Sequence, residues 1–211
     1  MTQRLTLLVV LLLTAAGSPA DAGSIVALPV PTPAQTWQPV REFSGVPVEA
    51  RPTDSGFDVH RARVQVCTDL GTLEDYVVDP TRFVDWVAYT RSARLLEHTE
   101  QSAVYYVRST TPWPLRDRDM IYRIERTPTA DGLTLSLVGL PEYTPPEDNA
   151  TRIRSAEGEW RLVPSQAGID VSYELYVDPG RVPRYLANQR LAAAVGETLA
   201  NLAARFPCNS G

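Results

Sequence analysis

The sequence predicts an α+β fold in which consecutive antiparallel hairpins make one sheet, a helix pair interrupts the series early, and one long helix closes the chain. Three observations carry this. Short runs of alternating apolar and polar residues follow one another from residue 57 to residue 177 with turn residues between them, which is hairpin spacing. A helix-period stretch over residues 70–78 ends at Asp79-Pro80, after the first long strand. Residues 184–206 contain no proline and one glycine, Gly196, and are rich in alanine, leucine and arginine, so the long helix comes last.

A chain of 211 residues with 44 % hydrophobic and 21 % charged residues suits one sizeable domain with a full core. All 20 basic residues are arginine and 25 are acidic, giving a net charge of -5 and a pI near 5.1. Without a basic block, nucleic acid is not expected as a partner, because neutralising phosphates needs clustered cations. Arginine forks do suit oxyanions, but codon preference accounts for an all-arginine count more simply.

The N-terminus reads as a secretory signal. Arg4 precedes an apolar run over residues 5–13, and the small residues that follow end in A-x-A-like patterns at Ala20 and Ala22. Cleavage is expected near one of these two, giving a periplasmic or extracellular protein. The run is too short to cross a bilayer core of about 30 Å. Four prolines among small residues make 23–39 an extended tether, leaving 40–207 as the folded domain. Cys67 and Cys208 are an even pair in an oxidising compartment, either bridged or two separate buried thiols. Two cysteines and two histidines (His60, His98) without ligand spacing lead to no expected metal or cofactor.

Each element then has its local reason. Trp37 and Phe43 are placed to dock the tether, and 46–51 is an edge strand because Pro47 lacks a donor. A turn at 52–56 leads to a strand over 57–67, with His60, Ala62, Val64 and Val66 on one face. Thr68 or Asp69 caps the helix over 70–78, and a further helical turn lies at 83–86. Residues 93–98 and 103–110 form the next hairpin. Pro112 and Pro114 fix φ and exclude a central strand, so 112–117 is a corner feeding the strand 118–126, which pairs with 133–140. Residues 141–149 form a proline-rich acidic loop ending in an Asn149-Ala150-Thr151 glycosylation pattern. The third hairpin joins 153–163 to 169–177. The final helix has an apolar face of Tyr185, Ala192, Val195, Leu199, Leu202 and Phe206, thin because alanine is so frequent.

Over about residues 37–206 this order resembles the START domain, the steroidogenic-acute-regulatory-related lipid-transfer fold of the helix-grip superfamily, as a bacterial exported member. The strand 57–66, Trp86, Pro112-Trp113-Pro114-Leu115 with Arg118-Asp119, and Ile153-Arg154 carry the likeness. So do Gly158 with Trp160, Val163-Pro164, Asp178-Pro179-Gly180, Val182-Pro183 and Asn188. The resemblance implies a curved antiparallel sheet wrapped around the long C-terminal helix, with a hydrophobic tunnel for one lipid and a lid made of loops and that helix. An alanine-thin helix face leaves room for such a space. Strand parity and helix face nominate Val104, Tyr106, Met120, Tyr122, Ile124, Leu135, Leu137, Tyr173, Leu175, Ala192, Val195 and Leu199 as lining; the competing reading of each is plain core. Some sterol-binding relatives keep a buried base six positions after the signature arginine. Here that position is Ile124, and Arg123 beside it points to the opposite face.

The function these readings imply is non-enzymatic binding, and possible transfer, of a single lipid or other hydrophobic small molecule. Transient contact with a membrane surface and a monomeric state are expected with it. The alternative is a helix-grip enzyme such as a polyketide cyclase or aromatase, with His60, Tyr106, Tyr122, Arg118 and Asp119 as scattered candidate groups. A plain interaction domain with a filled core is the third. For Arg118 and Asp119, two roles stand open: a structural clamp of the corner, or a polar gate at the tunnel mouth.

Overall fold

The computed structural model describes residues 36–208, so the signal-like segment and most of the proline-rich stretch lie outside the described residues. The elements are β1 (Gln38–Phe43), β2 (Val46–Arg51), β3 (Val59–Val66), α1 (Leu70–Val78), a 3-10 turn (Pro80–Arg82), α2 (Phe83–Trp86), β4 (Thr90–His98) and β5 (Ser102–Ser109). β6 (Asp117–Thr129), β7 (Gly132–Gly139), β8 (Ala150–Arg152), β9 (Ser155–Ser165), β10 (Gly168–Asp178) and α3 (Arg184–Arg205) complete the order. One sheet runs β1-β2-β3-β10-β9-β7-β6-β5-β4, antiparallel throughout, and β8 lies parallel to the start of β6. This is the helix-grip α+β arrangement.

Hairpins build most of the sheet from local pairings, but its closure is long-range. β10 pairs with β3 in register from Ile169↔Val66 to Leu175↔His60, so the last strand sits beside the third. The helix pair fits where its caps allow: Asp69 accepts the Thr72 amide at 2.9 Å to start α1, and Asp79 caps the turn that follows. α3 lies on the inner face of the sheet against β1, β2, β3 and β10. Val195, Leu199 and Leu202 are fully buried there, each stabilising the fold by about 1.5–3 kcal/mol. Gly196 permits the close approach, since a Cβ at that position would meet Phe43 at 2.7 Å and Val48 at 2.8 Å.

Some local expectations change. The strand holding Pro47 is not the edge: β1 covers it, and Pro47 lies one residue before the pairing of β2 with β3 begins at Val48. The docking segment of Phe43 is thus itself a strand. Tyr185 is not on the buried face of the last helix; it is exposed in the first turn. Residues 141–149 do form a loop, and it packs over the outer face of the sheet above a small second core of Val104, Tyr106 and Ile121.

Candidate ligand-binding site

Between α3 and the inner face lies a cavity of about 940 Å³, at the upper end of what small-molecule sites occupy. Strand alternation decides what faces it. On β6, Arg118, Met120, Tyr122 and Ile124 point inward, and Leu137, Trp160, Tyr173 and Leu175 continue the wall across β7, β9 and β10. Aromatic packing stiffens this wall: Trp160 stacks on Tyr173 with ring centroids 3.8 Å apart, and Tyr122 meets Tyr105 at 5.5 Å. The roof is the alanine-rich stretch of α3, with Ala187, Ala192, Ala193 and Ala194. Their short side chains leave the volume open.

Of the residues nominated from sequence, Met120, Tyr122, Ile124, Leu137, Tyr173, Leu175 and Ala192 line the cavity. Leu135, Val195 and Leu199 are buried in the same core without bordering the space. Val104 and Tyr106 are corrections: they lie on the outer face. The run Val104-Tyr105-Tyr106-Val107 is buried on both sides, so it carries no polar residue to mark which face is which. Tyr106 donates to Glu147 at 2.8 Å and lies under the Arg94 guanidinium at 3.9 Å, so the loop over residues 141–149 covers it. Burial pushes the Tyr106 hydroxyl up to about 12, with the Glu147 bond adding to the rise.

The Arg116-Asp117-Arg118-Asp119 cluster is sorted by the same alternation. Asp119 turns outward and is fully buried against Arg152, whose Nη2 is 2.9 Å away and whose Nη1 also donates to the carbonyls of Pro141 and Thr144. Asp117 also turns outward and takes Arg91 at 2.8 Å and Arg108 at 3.0 Å. Arg118 turns inward to the cavity, donating to the Arg116 carbonyl at 2.6 Å. Burial lowers its pKa.

The mouth opens beside this corner. Thr110 to Leu115 form one lip, and Pro179, Pro183 and Leu186 form the other. Arg190 lies over the Tyr89 ring, 3.1 Å from its centroid, and donates to the Thr110 carbonyl at 3.1 Å. Tyr89 has φ +65° and donates to Glu197 at 2.7 Å; burial, then this bond, pushes its hydroxyl up to about 12. Sequence reading missed Arg190, Tyr89, Thr90 and Ser109. A signal existed for Ser109, because its parity follows from the hairpin that pairs it with Arg118.

α3 is held unequally. Its C-terminal half is latched by Thr198 to the Ala88 amide at 3.0 Å, by Asn201 to the Trp86 carbonyl at 3.0 Å, and by a Cys67–Cys208 bridge with Cα atoms 4.9 Å apart. Near the mouth, besides Arg190, Asn188 clasps the 56–58 turn: it accepts the Asp58 amide at 3.0 Å and donates to the Asp58 carboxylate at 2.9 Å.

No family model matches the chain. An uncharacterised protein of Pseudomonas aeruginosa is 28 % identical over 173 residues, covering 80 % of this chain and 86 % of its own. The solved STAR-related lipid transfer protein of Xanthomonas axonopodis superposes with a TM-score of 0.74 at 27 % identity, over 80 % of this chain and 97 % of that one. The chain is similar to START lipid-transfer domains in fold and, at this level, in sequence. A di-domain aromatase/cyclase of the steffimycin biosynthetic pathway shares the fold alone, with a TM-score of 0.51 at 10 % identity over 71 % of this chain and half of that one. Within this domain, Ile124 lines the cavity and Arg123 is exposed on the other side, so the inner wall carries no base at that position.

Proposed function

We propose that this START-like domain is a non-enzymatic carrier that binds one lipid or other hydrophobic small molecule in the cavity under α3. The observation that carries the reading is a large space walled by apolar and aromatic side chains, with no Asp, Glu, His or Cys among its described lining residues. Chemistry there has little to work with. Tyr89, Tyr122 and Tyr173 all have pKa values raised by burial, so none supplies a base near neutral pH. His60, the other candidate base, is buried in β3 and does not border the cavity. Similarity to the Xanthomonas axonopodis STAR-related lipid transfer protein supports the same reading.

Loading is proposed to occur at the mouth. The C-terminal half of α3 is anchored by a covalent bridge, whereas its N-terminal turns are tied by the hydrogen bonds of Asn188 and Arg190, so movement of those turns with the 112–115 corner opens the cavity at least cost. Trp113 is 92 % exposed there, with Leu115 and Leu186 exposed nearby and Arg116 and Arg184 flanking them. Exposed tryptophan and leucine beside cations suit contact with a bilayer surface. The reading includes export: it draws on the signal-like first 22 residues and on a cysteine pair suited to an oxidising compartment. Purifying the protein from the exported fraction and extracting it for mass spectrometry tests the proposal. A stoichiometric lipid is expected. No co-purified lipid, together with no binding across a lipid panel, rejects it.

A further inference from the structure

The cavity has the opposite charge balance to the protein around it. The chain carries 25 acidic and 20 basic residues, yet the charged liners of the cavity are Arg41, Arg118 and Arg190, with no acidic residue among the described ones. Elsewhere at the corner, arginines are matched to carboxylates: Arg91 and Arg108 to Asp117, Arg152 to Asp119. Arg118 and Arg190 instead each have one backbone carbonyl, so both keep spare donors and a full charge.

These two arginines converge on one place. Arg118 stands opposite Ser109 in register, and Ser109 stands opposite Thr90, so three donor side chains form a row across β6, β5 and β4 at the mouth. Arg190 reaches the same end from the helix, bonding the carbonyl of Thr110, the next residue after Ser109. Thr90 Oγ1 and Arg118 Nε are buried without a hydrogen-bond partner in the protein. A buried donor left unmade costs about 1–3 kcal/mol, more for a charged group, so this row is built for an acceptor. Farther along β5 and β6 the register pairs become Val107↔Met120 and Tyr105↔Tyr122, and the lining turns apolar.

We infer that the occupant is an amphiphile with an oxyanionic head, carboxylate or phosphate, held by Arg118 and Arg190 at the mouth, with its apolar chain directed towards Tyr122, Leu137 and Tyr173. This rests on the lipid-binding reading and narrows it. A neutral head satisfies the hydroxyls of Thr90 and Ser109 but leaves two partly buried cations without a counter-charge, whereas an oxyanion matches the guanidinium forks and makes the stronger, charge-assisted bonds. The lowered pKa of Arg118 is the mark of a buried cation with no anion beside it.

Two chain-matched pairs test the assignment on the delipidated full chain by isothermal titration: oleate against oleyl alcohol, and 1-oleoyl lysophosphatidate against 1-monoolein. Each anion is expected to bind at least about tenfold more tightly than its neutral twin, the strength of a single charge-assisted bond, and added salt narrows the ratio. The two anions together tell a carboxylate site from a phosphate site. Arg118→Gln and Arg190→Gln are each expected to narrow the anion-to-neutral ratio, and the double variant to bring it near one. Neutral twins that bind as tightly as the anions, or a double variant that keeps the ratio, overturn the head-group assignment and leave the lipid-binding reading standing. If none of the four binds, both fail together. Arg190→Gln changes a half-exposed helix position, so it carries the test where melting shows Arg118→Gln to be unfolded.

Discussion

Arg118 and Asp119 are adjacent in the chain and face opposite sides of the sheet. Asp119 is locked outward by Arg152 at 2.9 Å, while Arg118 borders the cavity. One dipeptide thereby ties the 141–149 loop to the cavity wall, with Asp119 on the outer face and Arg118 on the inner one.

Breaking the outward half has a large expected cost. Asp119 is 0 % and Arg152 8 % exposed in their side chains, and removing one partner leaves a buried charge uncompensated. Asp119→Ala is expected to lose about 3–5 kcal/mol in urea unfolding, as is typical of such pairs. Joining it to Arg152→Met should recover much of the loss. A single variant as stable as the parent rules out the clamp.

Filling the cavity separates binding from folding. Met120 is partly buried and lies between the polar row at the mouth and the apolar interior. Met120→Trp is expected to remove long-chain lipid binding while moving the melting temperature by only a few degrees, because the added ring enters open volume rather than a packed core. Undiminished binding in this variant places the ligand elsewhere.

His60 sets a pH dependence. It is 1 % exposed, and burial lowers its pKa from 6.5 to about 4. On acidification the unfolded chain takes up this proton first. Its contribution is therefore fully present above about pH 6.5, declines as the pH falls towards 4, and levels off below that, a total of about 3 kcal/mol. His60→Leu should flatten the unfolding free energy over that window relative to the parent. Equal slopes in the two proteins contradict the buried neutral imidazole.

The bridge anchors the end of α3 to the sheet. Cys67 and Cys208 are 141 residues apart, and the Cys67 amide also donates to the Phe206 carbonyl at 3.0 Å. Cys208→Ser is expected to lower stability by about 2–4 kcal/mol through the freed unfolded chain. Hydrogen exchange should rise first in the last turns of the helix. Two titratable thiols in the non-reduced protein would exclude the bridge.

Much of the fold was legible because its elements are local. The α1 boundaries, the three hairpins and the last helix follow from caps, turn residues and periodicity within a few residues of each other. β1 and β8 were missed for the same reason. β1 is exposed along nearly its whole length, and β8 is only three residues, so neither carries an apolar pattern. Half of the candidate site was legible too, from Met120 to Ile124 by parity, but Val104 and Tyr106 were placed on the wrong side of a strand buried on both faces.

By itself the sequence determined the order of the elements, the α+β class and the family landmarks, since these depend on neighbours along the chain. Tertiary structure alone decided that β10 inserts between β3 and β9, and that Arg118, Ser109, Thr90 and Arg190 meet at one end of a cavity. The physical reason is that alternation divides a strand into two faces without saying which one another layer will cover. That is settled only when a helix and a loop from much later in the chain pack on opposite sides of the same strands.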